Sequence, residues 1–130
     1  MITEKLIPRL RERFADRPMK LGAPPEAIAV FAAAHPDVGD VQIFDDGSEV
    51  TLVAGNFTHG HFSDFDSETT EQAEENIVEN VIEFLDRLFA DQVVLWGSHR
   101  GSGGWYSRDR DSSEFAKGPR YVWSGPLTGG

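Results

Sequence analysis

Leu6, Leu10 and Phe14 recur every four residues, with Arg9, Arg11 and Arg13 between them. That spacing predicts a short amphipathic helix from Thr3 to about Ala15, with Pro8 near its first turn and Arg17-Pro18 ending it. A longer and cleaner stripe lies further on. Ile77, Val78, Val81, Ile82, Leu85, Leu88 and Phe89 fall at steps of one, three and four, with Glu71, Glu74, Glu75, Glu79, Glu83 and Asp86 mostly between them. This predicts a helix from about Thr69 to Ala90, capped by Ser67 or Asp66, whose early acids suit the positive end of the helix dipole.

Between the two helices the period changes. Val41-Gln42-Ile43-Phe44 and Val50-Thr51-Leu52-Val53 flank Asp45-Asp46-Gly47-Ser48, and Asp-Gly between β-rich runs signals a hairpin because both turn positions tolerate positive φ. Gly55-Asn56 then supplies a second tight turn into Phe57–Phe62, giving a three-strand antiparallel meander. The run Ala27–Ala34 is ambiguous: its alanines favour a helix, while Ile28, Val30 and Phe31 tip the balance to a strand.

After the long helix, Val93-Val94-Leu95-Trp96 has a buried-strand pattern and Arg120-Tyr121-Val122-Trp123 reads as a last strand. Residues 98–119 form either a long loop or a loose hairpin. In the second case Gly101-Ser102-Gly103-Gly104 is the turn and Trp105-Tyr106 begins the returning strand. Residues 125–130 are expected to be a flexible tail. Strands, a long helix and more strands, without internal repeats, indicate one α+β domain over 1–130: an antiparallel sheet of about four to six strands with both helices packed on one face.

Charge changes the picture most in the centre of the chain. The formal net charge is −10, and residues 37–91 hold 15 acids against one base, Arg87. A one-signed region repels phosphates and attracts cations or basic proteins, which argues against unaided binding of duplex nucleic acid. No window approaches the apolar length a membrane span needs, and the N-terminus lacks a signal peptide's apolar core. There are no cysteines, which excludes disulfides, thiolate metal sites and cysteine nucleophiles and suits a reducing cytoplasm.

Inside the acidic region stands His59-Gly60-His61, followed by Asp64 and Asp66. Alternate residues of a strand share a face, so both imidazoles would project together, and two histidines with a carboxylate can hold zinc, iron, nickel or manganese. Without a metal, the pair could exchange protons near neutral pH. No nucleophile motif accompanies it: Gly-x-Ser-x-Gly, His-Glu-x-x-His and the phosphate-binding loop are absent, and Ser98-His99 before Gly101 is too loose to count. Arg100, Arg108, Arg110, Lys117 and Arg120 surround Trp105 and Tyr106, an arrangement that could hold a phosphate-bearing ligand. Asp109, Asp111 and Glu114 dilute those cations, so a solvated loop or one folded against the acidic helix is the favoured account. The terminal Gly129-Gly130 invites comparison with ubiquitin-like modifiers, without their evident order of elements.

The runs Gly55–Phe62 and Phe84–Trp96 resemble a family of small uncharacterised bacterial proteins, over about the central half of the chain. The resemblance implies a bacterial origin and a single domain, and no activity. In composition alone the chain is also like bacterial immunity proteins and toxin inhibitors. The expected function is therefore a non-enzymatic interaction module whose outward Glu71, Glu75, Glu79 and Glu83 engage a basic protein partner, with no cofactor. The alternative is a metal-binding protein, or metal-dependent enzyme, built on His59, His61, Asp64 and Asp66.

Overall fold

The computed structural model describes residues 2–98, 102–109 and 119–127. Helix α1 (Ile2–Arg13) buries Ile2, Leu6 and Leu10, and Phe14 continues that stripe just beyond its end. Helix α2 (Thr70–Phe89) buries Ile77, Val78, Val81, Ile82, Leu85 and Leu88, and adds Phe84, which lies off the stripe that the sequence draws. Its N-cap is Thr69, whose side chain accepts the Gln72 N–H at 3.1 Å, rather than Ser67 or Asp66. Those two residues are committed elsewhere: the Asp64 carboxylate accepts both of their backbone N–H groups and so holds them in a turn before the helix.

Alternation then builds the first sheet. Strands β1 (Met19–Leu21), β2 (Ala29–Phe31), β3 (Val41–Asp45), β4 (Glu49–Ala54) and β5 (Thr58–Ser63) form an antiparallel meander in that order. Val41, Ile43, Val50, Leu52 and Ala54 point into the core, while Gln42, Phe44, Thr51 and Val53 face outward. Gly55 turns the chain from β4 toward β5 at φ 61°, and a side chain there would meet the Val38 carbonyl oxygen at 2.1 Å. The ambiguous run at 27–34 contributes only the short β2. Strand β1 has no counterpart in the sequence pattern, because it is a three-residue edge with largely exposed side chains.

The remaining strands form a second sheet rather than extending the first. Strands β6 (Val93–Ser98), β7 (Ser102–Ser107), β8 (Arg120–Val122) and β9 (Gly125–Pro126) pair in the order β7-β6-β8-β9. Gly103 and Gly104 therefore belong to a strand, not to a turn. Gly125 and Pro126 belong to β9 and not to a flexible tail, since they pair with Val122 and Tyr121.

One continuous apolar cluster draws on both helices and both sheets. At one end of it Phe14, Phe31 and Phe89 meet edge to face with centroids 5.1–5.7 Å apart, and Phe89 also stacks on Trp123. Each fully buried leucine or isoleucine contributes about 2 kcal/mol by leaving water, so this cluster dominates folding.

Among the described residues, the polar exception in the core is Asp45, 8% exposed at the end of β3. Its carboxylate accepts the Thr3 N–H at 3.1 Å and the Thr3 hydroxyl at 2.5 Å, while its other oxygen accepts the Gly47 N–H at 2.9 Å. Burial alone would raise the carboxyl pKa, but the bonds from Thr3 and Gly47 outweigh it and hold the group below its ordinary value. One side chain thus fixes the hairpin turn and satisfies the positive start of α1. Asp45→Ala should lower stability by about 2 kcal/mol in urea denaturation at pH 7. Because the folded-state pKa is depressed, that contribution is complete above the ordinary carboxylate range and fades as pH falls through the folded value. A change too small to measure at pH 7 would contradict the assignment.

Candidate functional site

The acidic helix is not uniformly available to a partner. Lys5, Arg9 and Arg13 recur every four residues along α1, and each meets a carboxylate of α2: Glu74 at 3.5 Å, Glu79 at 2.6 Å and Asp86 at 2.9 Å. The pairing follows from sequence spacing, because residues four apart share a helix face and α1 lies alongside α2. Surface pairs of this kind stabilise little, usually under about 1 kcal/mol each, but they neutralise the flank on which they lie. Glu79 is exposed but already holds Arg9. Glu71, Glu75 and Glu83 are exposed and have no cation partner among the described residues. Of the four outward glutamates expected to bind a partner, one is therefore satisfied internally and three are not.

Glu83 also borders an aromatic groove. Phe62 of β5, Phe84 of α2 and Trp105 of β7 meet edge to face in series, with centroids 5.8 and 4.9 Å apart. Together with Asn80, Glu83, Arg87, Val93 and Ser107 they line a cleft of about 210 Å³. Trp105 is 43% exposed, much for so large an apolar side chain. Arg87 lies in the same cleft and donates to the Ser107 hydroxyl. Trp105 lies among cations in the sequence, but its ring packs on the acidic helix through Phe84. Of the cations of that loop, Arg108 donates to the Asp91 carbonyl at 3.1 Å, just past the end of α2. Arg100, Arg110 and Lys117 lie outside the described residues, as do His99 and Gly129-Gly130.

His59 and His61 do share a face. Both rings are exposed on β5, with centroids 5.2 Å apart. The aspartates expected beside them are placed differently. Asp64 receives the Asn76 side-chain amide and the Ser67 hydroxyl, both at 2.7 Å, besides the N–H groups of Asp66 and Ser67. These bonds, led by those from Asn76 and Ser67, hold its carboxyl down at about 2. Asp64 is thus spent on joining the end of β5 to α2. Asp66 is exposed in the turn that Asp64 organises.

His61 finds its carboxylate elsewhere. Strand register sets Thr51 of β4 opposite His61, and the imidazole Nδ1 lies 3.0 Å from the Thr51 hydroxyl and 2.9 Å from Glu49 Oε2. Sequence distance hid this partner. The signal was present in the hairpin register, which counts back from the turn to place Glu49 and Thr51 on the outer face with His61.

Comparison with protein-family models, with curated proteins and with solved structures finds no match to this chain. No helix among the described residues is long and apolar enough to cross a membrane.

Asp64→Ala should lower the melting temperature at pH 7. The gap from the parent should then narrow as pH falls through the carboxylate range toward about 2, where the parent protonates Asp64 and loses the same bonds. A gap that persists unchanged at the lowest pH would show that the carboxylate's charge is not what the turn uses.

Proposed function

We propose that the protein is a non-enzymatic interaction module that binds a basic protein partner, in the manner of an immunity protein or inhibitor. The observation that carries this reading is the division of charge on α2. The cations of α1 take Glu74, Glu79 and Asp86, while Glu71, Glu75 and Glu83 remain exposed and unpaired among the described residues. Such carboxylates raise the rate of encounter with a positive surface and select against polyanions.

The aromatic groove strengthens the reading. A lysine or arginine of the partner can lay its aliphatic stem on Phe62 and Trp105 and bring its charge to Glu83, combining apolar burial with a cation–π contact. Arg87 already occupies one end of the groove. An incoming cation would displace it or take the Glu83 side. A cysteine-free acidic chain suits a reducing bacterial cytoplasm, where we place the protein.

Immobilised protein should retain a basic partner from native lysate at low ionic strength and release it as salt rises. Replacing Glu75 and Glu83 together by Gln should slow association of that partner by about tenfold. Replacing Arg9 and Glu79 together by Gln should change it little, because that pair is already neutral. Surface plasmon resonance on the purified pair distinguishes these results. No partner at low salt, or association indifferent to the substitution of Glu75 and Glu83, would remove the support for this function.

A further inference from the structure

We propose that Asp46, Glu49 and His61 together form a binding site for a divalent transition-metal ion, with zinc the best-matched, on the outer face of the β3–β4–β5 hairpins. The inference is independent of the partner surface on α2. It also differs from the ligand set that the sequence suggested, since Asp64 is committed to the turn before α2.

The donors converge from three positions on two adjoining hairpins. One ligand atom from each of Asp46, Glu49 and His61 lies within 4.8 Å of the others. Zinc bonds of about 2.0–2.1 Å in a tetrahedron place neighbouring donors about 3.3 Å apart, so side-chain rotations suffice to close the site. The backbone beneath is fixed. Asp46 N–H donates to the Glu49 carbonyl at 2.9 Å across the turn, and the Gly47 N–H is held by Asp45. The ladder from Glu49↔Ser63 to Ala54↔Thr58 locks β5 against β4.

Hydrogen bonds now hold the three side chains around one point. The Thr51 hydroxyl donates to Asp46 and lies 3.0 Å from His61 Nδ1, which is itself 2.9 Å from Glu49. With the Thr51 proton directed at Asp46, Nδ1–H is the donor toward Glu49 and Thr51. Two hydrogens, that of the Thr51 hydroxyl and that of Nδ1, thus link two carboxylates and an imidazole nitrogen that could instead share a cation. Thr51 acts as a positioning residue, turning Asp46 toward the histidine.

Charge gives a second reason. On α2 three carboxylates are matched by cations of α1, whereas no lysine or arginine pairs with Asp46 or Glu49 among the described residues. Two adjacent carboxylates with a neutral nitrogen donor between them offer the net −2 that a divalent ion neutralises. One imidazole and two carboxylate oxygens favour zinc, manganese or iron(II) over the softer ions that require thiolates. Three protein ligands on an exposed face leave at least one position open to water, which is the pattern of an exchangeable or reactive centre rather than a closed structural one.

The test is isothermal titration of zinc chloride into tag-free, chelator-treated full-length protein. The expected result is saturable binding of one ion per chain, tighter than about 0.1 mM. His61→Ala, Glu49→Gln and Asp46→Asn should each weaken it by at least about tenfold, while Asp64→Asn should stay within about twofold. All but Asp64 lie on the outer surface and their variants should keep the parent's circular dichroism; Glu49→Gln preserves side-chain shape where His61→Ala does not. Absence of saturable binding would overturn the proposal. So would binding that survives Glu49→Gln and Asp46→Asn, or binding lost equally in Asp64→Asn, since either puts the ion elsewhere.

Discussion

The register of the β3–β4–β5 meander is the constraint on which the other features rest. Side chains alternate across a strand, so a slip of one residue would expose Val50, Leu52 and Ala54 and bury Glu49, Thr51 and Val53. The first set is buried in the same apolar cluster as the inward faces of α1 and α2, which makes the slipped arrangement very costly. Both turns reinforce the choice: Gly47 adopts φ 93° and Gly55 φ 61°, conformations that most side chains resist. From this one register follow Asp45 inside, beneath the start of α1, and Glu49, Thr51 and His61 outside in a row.

The acidic centre of the chain divides in consequence. Asp45 and Asp64 hold turns and helix starts through backbone N–H groups, and Asp40 receives the Ala33 N–H at 2.8 Å. Asp91 stands past the end of α2 at φ 61°, where the Asp91 and Gln92 N–H groups reach back to the Leu88 and Arg87 carbonyls. Glycine is common at such a position, but here the carboxylate binds both the N–H and the hydroxyl of Ser124, tying the helix end to the β8–β9 turn. Glu74, Glu79 and Asp86 serve the α1–α2 contact. Among the carboxylates that remain, two small groups are placed for function: Glu71, Glu75 and Glu83 on the helix, and Asp46 with Glu49 beside His61. A net charge of −10 therefore overstates the surface available to any partner.

Local signals made much of this legible. The α2 stripe is a 3.6-residue period sustained from Ile77 to Phe89, more than three turns, and the Asp-Gly turn specifies its hairpin without outside help. What escaped depends on contacts distant in sequence. Gly103 and Gly104 look like a turn, but Cβ atoms there would meet the Trp96 carbonyl oxygen at 2.0 Å and the Trp96 ring at 2.8 Å, so close strand approach explains them. The short edge β1 has too little buried surface to leave a pattern. Strand alternation places the histidine pair on one face, whereas its carboxylate neighbours are not the nearest ones in the chain. Asp64 is close in sequence but is drawn to Asn76 twelve positions on, and Glu49 arrives from the neighbouring strand.

Because the chain contains no cysteine, the register can be tested by disulfide trapping without background. Directly opposed residues of an antiparallel pair have Cα atoms about 4.5–5.5 Å apart, inside the range a disulfide spans. The double variant Thr51→Cys/His61→Cys should therefore cross-link under mild oxidation, seen as a mass decrease of about two daltons that reductant reverses, and Thr51→Cys/Phe62→Cys should not. Cross-linking of the 51/62 pair in place of 51/61 would mean the strands are paired one residue out of step, and the placement of His61 beside Glu49 would fall with it.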